Sequence, residues 1–306
     1  MMPRVSHWEE SKKTGLQGFV GYKAGMLQIL AIEDRDNPLK NQEVVKAVTV
    51  LETPPIFVYS ICAYETTPEG IKKIAEIPAT ANVPKEIQRS ITVAKKAKMK
   101  MEDLEKISEK ISAVRIIACS QPWKIGLKKT PEVFEVDISG ANAAEKLNYA
   151  KGLLGKEARI QDVFTDGEYA DLIAVTKGKG WQGIIKRFGV ALNPRKATKS
   201  RRHGGSIGPE RQGKVMYTIP RAGQMGFHKR TEKSKRILKI GESAKAKEIV
   251  PSGGFIDYGT VKGDFILIEG SVSGTEKRAV RLRKTSLMQG KKPDIRKFLI
   301  NGAGRV

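Results

Sequence analysis

The sequence predicts a mainly β protein of the α+β class: a β-barrel discontinuous in sequence, an inserted α-containing region and one long basic excursion. Three observations lead there. Short runs rich in β-branched and aromatic residues occur near both ends of the 306-residue chain, the middle is nearly charge-balanced with helical spacing, and Thr176 to Arg236 concentrates the positive charge. Strands at both ends of a chain close one barrel only if what lies between them is inserted.

Residues 1–15 read as an N-terminal arm. Gly18 to Tyr22, Met26 to Ile32, Val44 to Leu51 and Ile56 to Tyr64 are the first strand candidates, broken by Asp34-Arg35-Asp36-Asn37-Pro38 and Thr53-Pro54-Pro55. The pattern resumes at Asp171 to Thr176, Arg236 to Ile240, Asp264 to Glu269 and Arg278 to Leu282, with Lys262-Gly263-Asp264 as a hairpin-type turn before Phe265 to Ile268. The expected barrel is therefore 16–64, 158–176 and 236–285. The α-containing insertion is 65–157. Between Glu65 and Glu157 seventeen basic residues stand against thirteen acidic ones, as in an ordinary globular region. Leu104, Ile107 and Ile111 sit at helical spacing, and Ala144, Leu147 and Leu154 do so before Gly155, a C-capping residue. The run Lys95, Lys96, Lys98 and Lys100 reads as a solvated face. A basic tail, 286–306, carries Lys291, Lys292, Arg296, Lys297 and Arg305.

A formal charge of +23 calls for an anionic partner, nucleic acid or an acidic membrane surface. No stretch approaches eighteen consecutive apolar residues, so no membrane span is expected, and the first residues, MMPRVSHWEESKK, lack the apolar core of a signal peptide. Cys62 and Cys119 stand alone, which suits a reducing cytosol and two buried thiols. A cytoplasmic protein is the expectation.

The excursion, 177–235, is the strongest signal. From Thr176 to Arg236 there are seventeen Lys and Arg, two acidic residues and ten glycines, which hold +15 of the +23. Asn193 to Lys214 contains only Ala197 and Ile207 as aliphatic residues, too few to offset the roughly 1–2 kcal/mol per residue of backbone ordering. A polyanion is expected to order it. Two legs of about 30 residues at about 3.3 Å each reach at most roughly 100 Å, and so long a loop is functional or disordered.

Gly178-Lys179-Gly180-Trp181-Gln182-Gly183 is a literal GxGxxG after a predicted strand, yet no Asp or Glu occurs from Leu172 to Pro209 to hold a ribose. The dinucleotide reading fails. What survives is backbone that approaches phosphates closely, ringed by lysine and arginine. Trp181, Phe188, Tyr217 and Phe227 place aromatic rings among those cations, as base stacking requires, or else pin the excursion's base. The candidate RNA-binding residues are Lys177, Lys179, Trp181, Lys186, Arg187, Arg195, Lys196, Lys199, Arg201, Arg202, His203, Arg211, Lys214, Arg221, His228, Lys229, Arg230, Lys235 and Arg236. Arginine grips phosphate with a planar fork, lysine as a point charge. His7, His203 and His228 lack ligand spacing, so no metal is expected. No catalytic constellation is recognisable, and neither a cofactor nor a small-molecule substrate is expected.

Phe19-Val20-Gly21-Tyr22-Lys23-Ala24-Gly25-Met26, Glu52-Thr53-Pro54-Pro55, Val175 to Gly183, Gly204-Gly205-Ser206-Ile207-Gly208, Pro220 to His228 and Arg236 to Gly241 follow one another in order. This ordered set resembles the large-subunit ribosomal protein L three family in its archaeal version, over nearly the whole chain. The resemblance implies a translation-protein-type β-barrel with an α-containing insertion. It also implies early binding to large-subunit ribosomal RNA, neighbouring large-subunit proteins, and an extension running toward the peptidyl-transferase centre. By position the tip is Ser206, Ile207, Gly208, Pro209, Glu210, Arg211 and Gln212. Many relatives carry a tryptophan where this chain has Pro209-Glu210-Arg211, so a mechanism resting on that ring is not carried over. Nor is an N-terminal RNA contact, because Arg4 to Lys13 is short and contains Glu9-Glu10. The competing readings are a nucleotide-dependent enzyme using the glycine loop and a duplex-DNA compactor.

Overall fold

The computed structural model describes residues 2–9, 11–80, 82–94, 99, 103–104, 110–196, 201–285 and 290–299. The chain divides into two compact units, Met1–Ala174 with Thr231–Val306, and Val175–Arg230. Its strands, in chain order, are β1 (Gly15–Leu16), β2 (Gly18–Ile32), β3 (Glu43–Glu52), β4 (Ile56–Thr67), β5 (Gly70–Pro78), β6 (Ala113–Ser120), β7 (Val133–Ser139), β8 (Glu157–Ala158), β9 (Tyr169–Val175), β10 (Trp181–Gln182), β11 (Gly223–Gln224), β12 (Lys229–Gly241), β13 (Phe265–Glu269), β14 (Ala279–Lys284) and β15 (Ile295–Leu299). Helix α1 is Ala143–Leu153 and α2 is Ile184–Phe188. The protein is mostly β, in keeping with the α+β class. Among the described residues no helix is long and apolar enough to cross a membrane.

The larger unit carries two sheets. One has the order β14-β9-β12-β13-β3-β2-β15, and β14 also pairs with β2, so the path β2-β3-β13-β12-β9-β14 returns to its first strand. The expected strands from both chain ends meet here. Phe265-Ile266-Leu267-Ile268 of β13 is apolar without alternation because Ile266 and Ile268 join one buried cluster while Phe265 and Leu267 join another. The two early runs, Gly18 to Tyr22 and Met26 to Ile32, are one strand with a register shift between Lys23 and Gly25.

The second sheet has the order β1-β7-β6-β4-β5, with β8 on β4. Ile56 to Tyr64 thus pairs with β5, β6 and β8, not with β2 or β3. Residues 65–157 hold α1 but also β5, β6 and β7. The last two alternate cleanly: Val114, Ile116 and Ala118, and Phe134, Val136 and Ile138, face the core. Between them Arg115 points outward to its cross-strand partner Asp137 at 3.4 Å and to Glu135 at 3.6 Å.

On α1 Leu147 and Ala150 are buried, Ala143 is partly buried against the same core and Ala144 is exposed; Leu154, just past the helix, is partly buried too. Gly155, at φ +71°, ends the helix in the left-handed conformation as expected, and its amide donates to the Val58 carbonyl at 3.0 Å. Leu104 is buried and helical, whereas Ile111 is buried outside any helix. Ile107 and the run Lys95, Lys96, Lys98 and Lys100 lie outside the described residues. Lys262-Gly263-Asp264 is not a hairpin turn. The strand preceding β13 ended at Gly241, and the Lys262 and Gly263 amides donate to the buried Glu52 carboxylate at 2.7 and 2.6 Å.

Both sheets contribute to one core, and polar side chains tie them. The Tyr22 hydroxyl of β2 hydrogen-bonds the Ser120 hydroxyl of β6 at 2.8 Å. Arg281 of β14 lies over the rings of Trp8 and Phe134, 5.6 and 5.3 Å from their centroids, and donates to the carbonyls of Pro3 and Glu135. Burial pushes its pKa down to about 10, against the opposing charge of Glu135. Arg283 donates to the His7 carbonyl at 2.6 Å, so the N-terminal arm, with Val5 and Trp8 buried, is packed on this unit. Cys62 and Cys119 are buried and unpaired, and burial pushes their thiols up to about 11 and about 12.

Toward the C-terminus, β15 pairs with β2, Lys292 lies 3.5 Å from Asp166 and Arg296 lies 3.3 Å from Asp294. Arg305 lies outside the described residues.

Candidate nucleic-acid interface

Val175–Arg230 contains fourteen Lys and Arg and a single acidic residue, Glu210. The chain does not cross it as bare coil. Its two legs form a hydrogen-bonded ladder at their root. The Thr176 amide donates to the His228 carbonyl at 3.0 Å, the Lys179 amide to Met225 at 2.9 Å and the Met225 amide to Gly180 at 2.9 Å. Antiparallel β10 and β11 continue it, with Trp181 opposite Gln224 and Gln182 opposite Gly223. The sequence reading missed this local structure because two-residue strands leave no periodic signal.

Glycine is needed at two places in the ladder. Gly180 has φ +65°. Gly226 has φ +72°, and a Cβ there would collide with the Lys177 carbonyl oxygen. Gly226→Ala therefore carries about 1–2 kcal/mol of left-handed strain plus that collision. Amide exchange at Thr176, Lys179 and Met225 is expected to accelerate in this variant, while that of β6 and β7 stays unchanged.

Beyond the ladder, α2 spans only five residues and stops at Gly189, φ +71°. It is too short for a dinucleotide-binding crossover. Arg187 works as an internal clamp: it donates to the Arg221 carbonyl at 2.8 Å, leaves no room for a side chain at Gly223, and lies 4.9 Å from the Phe188 ring centroid. Asn193, absent from the expected site, organises the next segment. Its amide donates to the Arg201 carbonyl at 3.1 Å, and its own carbonyl accepts from Arg201 Nε at 3.1 Å. The Asn193-Pro194 pair was the available signal, since this dipeptide favours turns.

The other expected residues divide by exposure. Lys177, Lys179, Trp181, Lys186, Arg195, Lys196, Arg201, Arg202, His203, Arg211, Lys214, Arg221, Lys229 and Arg230 are exposed, and His228 is half-buried. So are the expected tip residues from Ser206 through Arg211 exposed; Gln212 is backbone of a short 3-10 turn, Glu210–Gln212. Lys199 lies outside the described residues. Two of the expected residues have partners within the larger unit. Arg236 is only 3% exposed, pairs with Asp34 through Nη1–Oδ1 at 2.6 Å and donates to the Lys291 carbonyl at 2.6 Å. That hydrogen bond holds the Asp34 carboxyl below its usual range. Lys235 is half-buried, donates to the Ser271 carbonyl at 3.1 Å and lies 3.3 Å from Glu232. Both side chains serve the larger unit's own packing.

A unit of this kind presents many cations whose charge a lone carboxylate cannot balance, on a backbone spaced by ladder and clamps. Such an arrangement has the chemistry a polyanion would require. Among the described residues no group of three or more His, Cys, Asp or Glu side chains is placed to hold a metal ion.

Comparison with known proteins agrees with the motif order. The family model for ribosomal protein L3 matches residues 3–301. The chain is similar to the large ribosomal subunit protein uL3 of Methanococcus vannielii, with 46% identity over 92% of this chain and 85% of that protein. It is 43% identical to the same-named protein of Methanopyrus kandleri (92% and 80% covered) and 44% identical to that of Caldivirga maquilingensis (92% and 84%). With the family model covering residues 3–301 and several relatives more than 40% identical over nine-tenths of the chain, the chain belongs to the ribosomal protein L3 family.

Proposed function

We propose that this chain is a structural, non-catalytic constituent of the large ribosomal subunit in the cytoplasm, and that Val175–Arg230 binds large-subunit ribosomal RNA. The observation that carries the reading is the ratio of fourteen cations to one carboxylate in a unit whose charged side chains are mostly exposed. In this reading the tip, 206–212, extends toward the peptidyl-transferase centre, the protein joins the subunit early in assembly, and the larger unit abuts neighbouring proteins. The path of paired strands that returns to β2 supports a translation-protein-type β-barrel built from β2, β3, β13, β12, β9 and β14.

RNA in this role is held by its phosphates and shape rather than by a base-edge code. If about ten cations meet phosphates, log affinity falls with log salt with a slope near −7 to −9. The test is titration of the full chain with deproteinised archaeal large-subunit RNA at several salt concentrations, together with co-sedimentation with the large subunit. A flat salt dependence, or equal affinity for duplex DNA, overturns the reading.

A further inference from the structure

The geometry points to Tyr217 as a residue that stacks on an unpaired base of the RNA. The inference rests on the reading above and deepens it by choosing among the unit's aromatic rings. Four rings sit among its cations: Trp181, Phe188, Tyr217 and Phe227. Phe188 is 52% exposed, with the Arg187 guanidinium already over its ring. Phe227 is half-exposed at the ladder, near Gly178, and Trp181, at 76% exposure, is held by the β10–β11 pairing. Tyr217 is 99% exposed. It occupies the first corner of a turn closed by the Ile219 amide donating to the Met216 carbonyl at 3.2 Å, so the backbone holds a ring that the protein itself does not cover.

An aromatic side chain buries about 150–250 Å² when it is covered, and leaving all of it in water forgoes that gain. The adjoining Val215 and Met216 are also partly exposed. The neighbouring cations Lys214 and Arg221 and the unit's overall charge select a polyanion as the cover. Within a nucleic acid, the apolar flat surface that matches a tyrosine ring is the face of an unpaired base. Lysine and arginine bind the phosphates, and Tyr217 adds a contact that releases no counterions.

That difference makes the test specific. In titrations of the full chain with deproteinised archaeal large-subunit RNA, Tyr217→Ala is expected to lower affinity by about 5- to 150-fold, as loss of one stacked base does. The slope of log affinity against log salt stays at the parent value. Tyr217→Phe, which keeps the ring, restores binding. Ribose acylation of the RNA shows one or a few nucleotides whose reactivity changes with the parent and Tyr217→Phe proteins but not with Tyr217→Ala. Parent affinity and an unaltered acylation pattern for Tyr217→Ala overturn the proposal, while a steep salt slope in the same titrations leaves the RNA-binding reading standing. A benzophenone amino acid at position 217, photolysed in assembled subunits, cross-links to RNA if the proposal holds. Cross-linking to a protein instead overturns it.

Discussion

Replacing Arg195, Arg201, Arg202 and Arg211 together by glutamine is expected to flatten the salt dependence of RNA binding by about 3 to 4 units of slope, because each lost phosphate contact removes about 0.7–0.9. At about 0.15 M salt this shrinks the counterion contribution by about 10²–10³-fold, the largest functional effect expected of any substitution in the chain. The four side chains are exposed and belong to Val175–Arg230, so the unfolding midpoint of the larger unit stays at the parent value. Arg201 also donates through Nε to Asn193, and glutamine loses this bond, so a triple variant retaining Arg201 separates charge from local structure. It is expected to keep about three quarters of the slope change. The measurement is a titration from about 0.05 to 0.2 M salt, the range over which the counterion term moves affinity by orders of magnitude. An unchanged slope would show that these arginines do not meet phosphates.

The largest stability effect is expected at Asp171, near the start of β9. Its side chain is 1% exposed, pairs with Arg283 of the neighbouring β14 and accepts the Ser234 amide at 2.9 Å. Ser234 sits at φ +52°, where an L residue is strained, and the Asp171 carboxylate anchors it there. Asp171→Ala strands a buried guanidinium and an amide at once. A loss of about 3–5 kcal/mol is expected for removing one partner of a buried pair, read from urea unfolding of the full chain. Arg283 also donates to the His7 carbonyl, so the N-terminal arm loosens in the same variant and Trp8 fluorescence shifts toward that of exposed indole. Replacing both partners by apolar residues, Asp171→Leu with Arg283→Met, recovers the part of the loss that comes from the stranded ion, while the Ser234 amide still lacks its acceptor. If the single variant is as stable as the parent, the pair does not hold this corner of the fold.

Several elements were legible because their signals are local. The β-branched runs at both chain ends became β2, β3, β9, β12, β13 and β14, and Gly155 ends α1 as its position after an apolar helical face requires. Charge alone marks 177–235 as the basic excursion, and the compact unit of the structure is Val175–Arg230. The alternation in β6 and β7 is equally present in the sequence, but the helical spacing of Leu104, Ile107 and Ile111 and of Ala144, Leu147 and Leu154 stands on either side of it. Arg115, Glu135 and Asp137 are outward-facing rungs of a sheet.

Composition and local preference are readable one residue at a time: the strand-forming runs, the lone acid among fourteen cations, and the ordered motifs that mark the ribosomal protein L3 family. Folding adds that β4 joins the second sheet, that Arg236 pairs with Asp34, and that Tyr217 is the most exposed of the unit's four aromatic rings. The reason is separation along the chain. Asp34 and Arg236 lie 202 positions apart, and no window of sequence reveals that they meet. Charge and β-propensity are properties of each residue, whereas strand partnership and the neutralisation of a cation are properties of pairs that only the folded backbone brings together.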